Sequence, residues 1–572
     1  MKNSPFKNPA LKAQSGRNPF DLSFLNQFSS PLGALIPCGC WEVNPNDNFK
    51  ISCESQFILP EMIRPTIMRL KEHIDYFFVP YSALWTAFDN FITGQNYYYS
   101  ALVSSNETGG VPNKIPTFDM GFLKAAFVDL YRQYDINGYD ASLGMLRLLD
   151  MLGYGDYQNC YQDLIDSTQD QSLARSSDIT FNFWRLLAYQ KIYYDYYRND
   201  KYESASANKY NIDNLVGGTV LGENNYTVDY RGMFGLRYRW LKDDYFTCTK
   251  PSILPTSSTI GFNGIDNTLV PAPGNNTNNG VFTVPGASIN VVGSSTNAVL
   301  STLTNYNSSG RANISSIRLG FAYDKLFRRM RNAGQNFDKQ MLAQFGITNI
   351  DERHGRAFKI GGFTNRIKVS TNIDLASNLS DFGGSINSYN ISQGKPLEFH
   401  SKSHGLIMAI YSTSIDPQYC SDMIDRANFK RGRFDYFNPV FENLGLQAIF
   451  DGEFRLYDDV NQTMITQNYR DIIGYNNRYM EYKTHLDEVH GRYNSGSGLA
   501  DFQAWVVPID SKYKTQTGVP LSMLNLVIDP SQFNGKIRQN DYDGTTATDH
   551  FGNTIYHRVT KVSNMSVYGE SF

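Results

Sequence analysis

The chain reads as a mainly β protein, one sandwich interrupted by long, partly helical insertions. Three observations carry that expectation. Between residues 49 and 59 apolar and polar side chains alternate, with Phe49, Ile51, Cys53, Phe57 and Leu59 on one side and Lys50, Ser52, Glu54 and Gln56 on the other. That period of two marks a strand with one buried face. Gly405 to Thr413 is instead a largely apolar run of strand length, as a strand buried on both faces requires. Such signals recur far apart with helical and turn-rich stretches between them. A length of 572 residues, which alone would suggest about four domains, is therefore read as one sandwich carrying insertions.

Composition narrows the function. The 52 basic and 55 acidic residues leave a net charge of −3, which excludes a globally basic nucleic-acid binder and a polyacidic tail protein. Any charge-driven role is local. Charged residues make up 19% of the chain and aromatics 14%, a balance that favours strands and aromatic-rich contacts. Six cysteines, at 38, 40, 53, 160, 248 and 420, are too sparse for a disulfide framework and suit a reducing compartment. The first residues lack the apolar core of a signal peptide, and no run approaches the ~20 apolar residues of a membrane span. A soluble chain made in the cytosol, with no membrane insertion, is expected, and sequons such as Asn307-Ser308-Ser309 are read as chance.

The elements follow in order. The first twenty residues hold Lys2, Lys7, Lys12 and Arg17 and no acid, interleaved with Pro, Asn, Gly and Ser. A basic N-terminal arm over residues 1–30 is expected, with the folded domain occupying 31–572. Ile36 to Val43 reads as a strand ended by the turn formers Asn44-Pro45-Asn46-Asp47, and His73 to Val79 as another stopped by Pro80. Over 181–199 the period changes. Phe183, Leu186, Leu187, Gln190, Tyr193, Tyr194 and Tyr197 recur at helical spacing. A second helix, kinked near Gly334, fits 316–345, its stripe being Leu319, Tyr323, Leu326, Met330, Phe337, Met341 and Phe345. Arg328 and Arg331 would point away from that stripe, toward a partner.

Between these helices, residues 251–310 include 10 Asn, 9 Ser, 8 Thr, 7 Gly and 5 Pro but one charged residue, Asp266. Disordered tracts are usually charged. Short β-prone runs, Val281 to Val284 and Ile289 to Val292, indicate a surface excursion of strands and turns ordered by neighbouring copies. Phe502 to Val507 and Leu524 to Ile528 complete the strand candidates.

Catalysis finds no anchor. Cys38 and Cys40 share one face of a regular strand and Cys53 can lie beside them, yet zinc wants a fourth ligand and a C-x₂₋₄-C knuckle, so small buried thiols are the preferred reading. His400 and His404 are four apart without the glutamate of a zinc-hydrolase helix. His485 and His490 flank Asp487-Glu488 near Tyr475 and Arg478, an arrangement read as an interface network rather than as acid/base machinery. Asp541-Tyr542-Asp543-Gly544 lacks the closing glutamate of a calcium loop, and no phosphate-cradling glycine motif or nucleophile elbow occurs. The basic clusters are more informative: the arm, Arg328-Arg329-Met330-Arg331, Arg356, Lys359 and Arg366, and Lys430-Arg431-Gly432-Arg433-Phe434. Cations near phosphates displace counterions whatever the base sequence, and Phe429 and Phe434 offer rings for unpaired bases. Each cluster alone reads first as a solvated face or an intersubunit ion-pair site, and the arm, with no acid in its first twenty residues, is the strongest candidate for DNA.

Several stretches together resemble a known family. Leu35-Ile-Pro-Cys-Gly-Cys-Trp-Glu-Val-Asn-Pro-Asn-Asp-Asn-Phe49, His73-Ile-Asp-Tyr-Phe-Phe-Val-Pro80 and Leu84-Trp85 resemble the opening of the major capsid proteins of the Microviridae, the small icosahedral single-stranded DNA phages, above all their gokushovirus-like and alpavirus-like branches. Ala188 to Arg198, Asp243 to Thr247, Gln344 to Arg353, Arg433 to Phe437 and Gly474 to Tyr482 are similar in the same order. The segments 105–180 and 251–310 match poorly, as variable insertions would, and Cys38 and Cys40 depart from the pattern.

The resemblance implies an eight-stranded antiparallel jelly-roll sandwich of the viral capsid type. It also implies sixty copies in a T=1 shell around a circular single-stranded DNA genome, with an insertion forming protrusions at the threefold axes. Partners would be other copies, the packaged DNA, a minor spike or pilot protein, a small basic packaging protein and a host surface receptor. The place would be the virion, assembled in the bacterial cytoplasm, with no enzyme activity, cofactor or metal. On this reading Lys2, Lys7, Lys12, Arg17, Arg328, Arg331, Lys430, Arg431 and Arg433 face the DNA. Asn275, Asn276, Asn278, Phe282 and Val284 belong to the protrusion. The alternatives are a secreted β-sandwich that binds or cleaves glycans, and a phage tail or spike protein.

Overall fold

The computed structural model describes residues 16–59, 69–93, 114–131, 141–157, 179–199, 210–250, 355–367, 396–420, 423–455, 470–493 and 549–567, some broken at single positions, with shorter pieces named below. The chain divides into two compact units, one formed by residues 1–253 with 349–572 and the other by 254–348.

The larger unit is built on two antiparallel sheets. Its strands are β1 (Asn18–Asp21), β2 (Phe24–Ser30), β3 (Ile36–Val43), β4 (Asn48–Leu59), β5 (Leu70–Pro80), β6 (Phe358–Arg366), β7 (Ile386–Ile391), β8 (Leu397–His400), β9 (Gly405–Ile415) and β10 (Phe551–Ser563). The first sheet runs β6-β5-β9-β3. In the second, β10 lies between β4 and the pair β1 and β2, and the other side of β4 carries β7 and β8.

Side-chain alternation decides how the layers stack. Ile36, Cys38, Trp41, Val43, Ile74, Tyr76, Phe78, Ile407, Ala409 and Tyr411 of the first sheet share one core with Phe49, Ile51, Cys53, Phe399, Ile555 and Val559 of the second. The opposite face of the first sheet, with Phe77, Val79, Leu406, Met408 and Ile410, packs on α1 (Met120–Leu130), α2 (Ala141–Met151) and α3 (Trp184–Ile192). The first sheet is therefore the middle of three layers. That explains why β9 has no hydrophobic alternation while β4, covered on one side, shows it clearly.

The helices start where the sequence can cap them. Asp119 accepts the Phe122 N–H at 2.9 Å at the head of α1, a contact worth about 1 kcal/mol. Helices α1 and α2 fall inside the 105–180 segment expected to be a variable insertion, yet Phe122, Phe127, Leu146 and Leu149 are core residues. The expected 181–199 helix is α3, which runs on into a π-helical turn over Tyr193–Tyr197. Every polar group of that turn is used. Tyr193 donates to Glu203 at 2.7 Å, Tyr197 to Asp75 at 2.9 Å, and Tyr196 to the Ala357 carbonyl at 2.8 Å, while Asp195 accepts the Ala357 N–H at 3.0 Å.

Three expectations change. Residues 18–30, placed in the arm, are β1 and β2, because the backbone there finds partners along β10: Asn18 opposite Ser563 and Phe24 opposite His557. Cys38 and Cys40 lie on opposite faces of β3. Ala409 faces Gly39 and Ile410 faces Pro37, so Cys38 is the extra residue of a β-bulge and the alternation reverses there. Gly39 fits that bend because a Cβ would stand 2.6 Å from the Trp41 ring. Finally, of the 524–528 candidate Val527 makes an isolated bridge to Trp240 and Ile528 is outside any strand, and of the 502–507 candidate Val506 is outside any strand; the rest of both lies outside the described residues.

In the smaller unit, Val281–Val284 pairs antiparallel with Ala287–Asn290, and Phe337–Phe345 is a helix, α4. Tyr323, Leu326, Met330 and Phe345 of the expected stripe are exposed. The larger unit's own chain is anchored on either side of residues 254–348 in sequence. Lys250 exchanges both backbone hydrogen bonds with Tyr475, at 2.7 and 2.9 Å, and Ala357 is held by the π turn. Replacing residues 254–348 by a flexible Gly/Ser linker should leave the larger unit folded, with a urea midpoint close to that of the full chain. Loss of cooperative unfolding in that variant would show that the two units are interdependent.

Candidate nucleic-acid interface

The segment Asp425 to Glu442 holds seven charged residues with Gly432 and Pro439 between them, which disfavours a strand, and it folds as three 3₁₀ turns, Arg426–Phe429, Arg433–Asp435 and Pro439–Phe441. Short polar side chains start the first and third turns, and the last residue of the second reaches back to its beginning. Asp425 accepts the Ala427 N–H at 2.7 Å and Asn438 the Val440 N–H at 3.0 Å. Asp435 accepts the N–H groups of Gly432 and Arg431 at 2.7 and 2.8 Å, which hold its carboxyl below the usual range.

These turns pack on a fourth, Met480–Tyr482, entered through Tyr479 in the left-handed region with φ 61°. Tyr479 is buried and acts as the keystone. Its hydroxyl donates to the Tyr436 carbonyl at 3.3 Å, and its ring lies 5.1 Å from Phe437 and 6.2 Å from Tyr482. Phe434 meets Phe441 at 5.9 Å, and the Arg478 guanidinium sits 5.6 Å from the rings of both Phe441 and Tyr479. The result is a rigid platform whose outward residues are Phe434, Tyr436, Phe437, Val440 and Tyr482.

The basic residues separate into different environments. Lys430 turns inward: its ammonium pairs with Glu481 at 3.5 Å and lies 3.9 Å from the centre of the Tyr482 ring, so its charge is matched within the chain instead of facing a phosphate. Arg431 and Arg433 are exposed, Arg433 over its neighbour Phe434 at 5.1 Å. Arg17 is no arm residue. Its guanidinium donates to the Asn46 carbonyl at 2.6 Å and the Val562 carbonyl at 3.4 Å, tying the chain to the β3–β4 turn. Lys2, Lys7, Lys12, Arg328 and Arg331 lie outside the described residues, as do Asn275, Asn276 and Asn278; Phe282 and Val284 are in the first strand of the hairpin.

The groups considered for chemistry do not converge. Burial pushes the Cys40 thiol up to about 11 and the Cys53 thiol to about 12, which keeps both protonated. Among the described residues no cluster of three His, Cys, Asp or Glu side chains is arranged to hold a metal. His485 and His490 line a cavity of about 300 Å³ together with Tyr245, Arg426 and Glu453. Tyr245 donates to Glu453 at 2.9 Å, Arg426 pairs with the same carboxylate, and His490 faces solvent against Glu488 at 3.0 Å. This is a structural network at a cavity wall. Asp541 and Asp543 lie outside the described residues.

Comparison with known proteins turns the description into an identity. A family model described as capsid protein (F protein) of phages matches residues 10–113 and 171–508. The chain belongs to that capsid protein family. It is also 22% identical over 516 residues to the capsid protein VP1 of Chlamydia phage 1, covering 84% of this chain and 85% of that one. The capsid protein is thus a structural component of a virion, and its copies assemble into a shell. The unmatched segment 114–170 contains α1 and α2, so a region outside the family match still supplies part of the core behind the first sheet.

Proposed function

We propose that this capsid protein forms a T=1 shell of sixty copies around a circular single-stranded DNA genome, its framework being an eight-stranded jelly roll. The supporting observation is the pair of antiparallel sheets, each four strand positions wide, that share one core. Successive strands β3, β4 and β5 alternate between the two sheets, as a double-sheet jelly roll requires. The nearly uncharged 251–310 tract is assigned to the threefold protrusion, where host attachment would take place. A reconstruction of assembled particles tests both statements. Density for that tract at the inner wall or at the fivefold axis would overturn its assignment.

DNA contact is assigned to basic residues of the first twenty positions, which include no acid. Lys2, Lys7 and Lys12 precede Arg17 in sequence, and their proposed role is that of a basic arm facing the lumen. Arg328 and Arg331 are assigned the same role. A net charge of −3 is too small and of the wrong sign to neutralise a genome, so cations, polyamines or a small basic packaging protein must contribute. Changing Lys2, Lys7 and Lys12 together to Gln should reduce DNA retention and lower the salt dependence of single-strand binding by about two counterions, at ~0.7 per phosphate. Equal DNA content in variant and wild-type particles would remove the arm from this role.

A further inference from the structure

From the sequence, Lys430, Arg431 and Arg433 are expected to face DNA and Phe434 to offer a ring for unpaired bases; the rings gathered between residues 434 and 482 suit a different partner. We propose that Phe434, Tyr436, Phe437, Val440 and Tyr482 form a contact surface for a second copy of this chain. The inference rests on the shell-forming role of the family and names the part of the surface that serves it.

Exposure is the first argument. Phe434 is 60% and Val440 77% exposed, and Tyr436, Phe437 and Tyr482 are open beside them. The rings are linked, because Phe437 touches Tyr482, the Lys430 ammonium lies against both Tyr436 and Tyr482, and Arg478 bridges Tyr479 to the Phe441 ring that Phe434 meets, while Val440 precedes Phe441 in the same turn. Grouped apolar side chains of this size mark an interaction site.

Charge is the second. A nucleic-acid platform needs cations left over for phosphates. Here Lys430 is matched by Glu481, and Lys483 by Glu442 at 2.8 Å, so Arg431 and Arg433 are the exposed cations that remain at the edge of the rings. Both members of the latter pair are open to solvent at the rim. Aromatic anchors and arginines at the centre with paired charges of both signs around them are the anatomy of a protein–protein contact. A rim carrying both signs is also complementary to a copy of itself, with Arg431 and Arg433 of one chain able to meet Glu442 of another.

Rigidity is the third. The caps of Asp435 and Asn438 and the buried Tyr479 fix the rings before any partner arrives, so little conformational freedom is lost on association.

The test uses the full chain. Particle formation is followed by light scattering and negative-stain microscopy across protein concentration for wild type, Val440→Asp, Phe434→Ser and Tyr482→Ser. Binding to a fluorescent oligothymidylate is measured on the same samples. The expected result is a rise of roughly tenfold or more in the concentration needed for assembly, with oligonucleotide affinity and thermal midpoint unchanged. Because the three positions lie on different turns, one variant that loses its fold leaves the other two to decide. Variants that assemble at the wild-type concentration overturn the proposal while leaving the shell role intact. Variants that assemble normally but lose oligonucleotide affinity also overturn it and return the platform to DNA. A wild-type chain that never assembles overturns the shell role itself, and the proposal with it.

Discussion

Lowering the pH from 7 to 4 should strip most of the stability from the larger unit, and buried histidines are the reason. His550 is fully buried, accepts the Leu32 N–H on Nδ1 at 3.0 Å, and is pushed down to about 3 by burial with a further contribution from Arg147. His557 stands between the two sheets, its Nδ1 2.8 Å from the Tyr76 hydroxyl, and burial lowers it to about 4. Near the start of β5, burial and the charge of Arg239 bring His73 to about 4, and Asp75 opposes them. Each ring is neutral in the folded chain and takes up a proton near pH 6.5 once unfolded. Stability is therefore complete above pH 6.5 and is lost as pH falls from there toward the folded values. Down to pH 4 the loss amounts to about 3 kcal/mol for each of His557 and His550, against the 5–15 kcal/mol typical of a folded domain. Urea midpoints measured between pH 7 and pH 4 should fall steeply. The double variant His550→Asn and His557→Gln, which keeps an acceptor at each ring position, should show a shallower slope. A wild-type midpoint that stays level from pH 7 to pH 4.5 would show that these rings do not control the acid limit.

How much of this was legible in the sequence depended on what each strand faces. The β4 pattern was visible because its inner residues, Phe49, Ile51, Cys53 and Phe57, are apolar and its outer ones polar. β10 was missed for the opposite reason. Its inward set is Phe551, Asn553, Ile555, His557, Val559, Lys561 and Ser563, in which polar residues outnumber apolar ones. They are tolerated there because each of the long polar side chains has a partner in the fold. Asn553 accepts from Tyr411 at 2.6 Å and donates to Ser30 at 2.8 Å, Lys561 pairs with Asp47 at 2.8 Å, and His557 meets Tyr76. Those partners lie hundreds of residues away along the chain, so no local window contains them. A period-two reading of burial without hydropathy, supported by the β-branched Thr554, Ile555, Val559, Thr560 and Val562, was the available signal. The bulge at Cys38 was hidden likewise, because it is fixed by the register of β9 and not by residues 36–43 alone. For the candidate surface, the sequence located the cations of residues 430–433 correctly as a cluster. It could not show that Glu481, fifty residues on, would claim Lys430.

A chain ending at Asp549 should not fold, the larger of the expected effects. β10 holds an inner position in the second sheet. It pairs with β4 from Gly552 opposite Ile58 to Val562 opposite Asn48, and on its other side it supplies the only strand partner that β1 and β2 have among the described residues. Removing it withdraws Phe551, Ile555 and Val559 from the core, each worth about 1.5–3 kcal/mol of burial. It also strips partners from Tyr411, Tyr76 and Asp47, at about 1–3 kcal/mol for each buried polar group left unsatisfied. The sum reaches the whole stability of an ordinary domain. The truncated chain should therefore expose an apolar sheet face, bind a hydrophobic dye and lack a cooperative transition. A synthetic peptide spanning residues 549–567, added in trans, should restore protease resistance, since every contact it makes is non-covalent. Because Asn18 pairs with Ser563, the second sheet closes only after residue 563 has been synthesised. Until then β4 presents an open edge and Phe57 an uncovered ring. Late closure at that edge would keep incomplete chains out of a growing shell, and a truncated chain that unfolds at the wild-type midpoint would refute it.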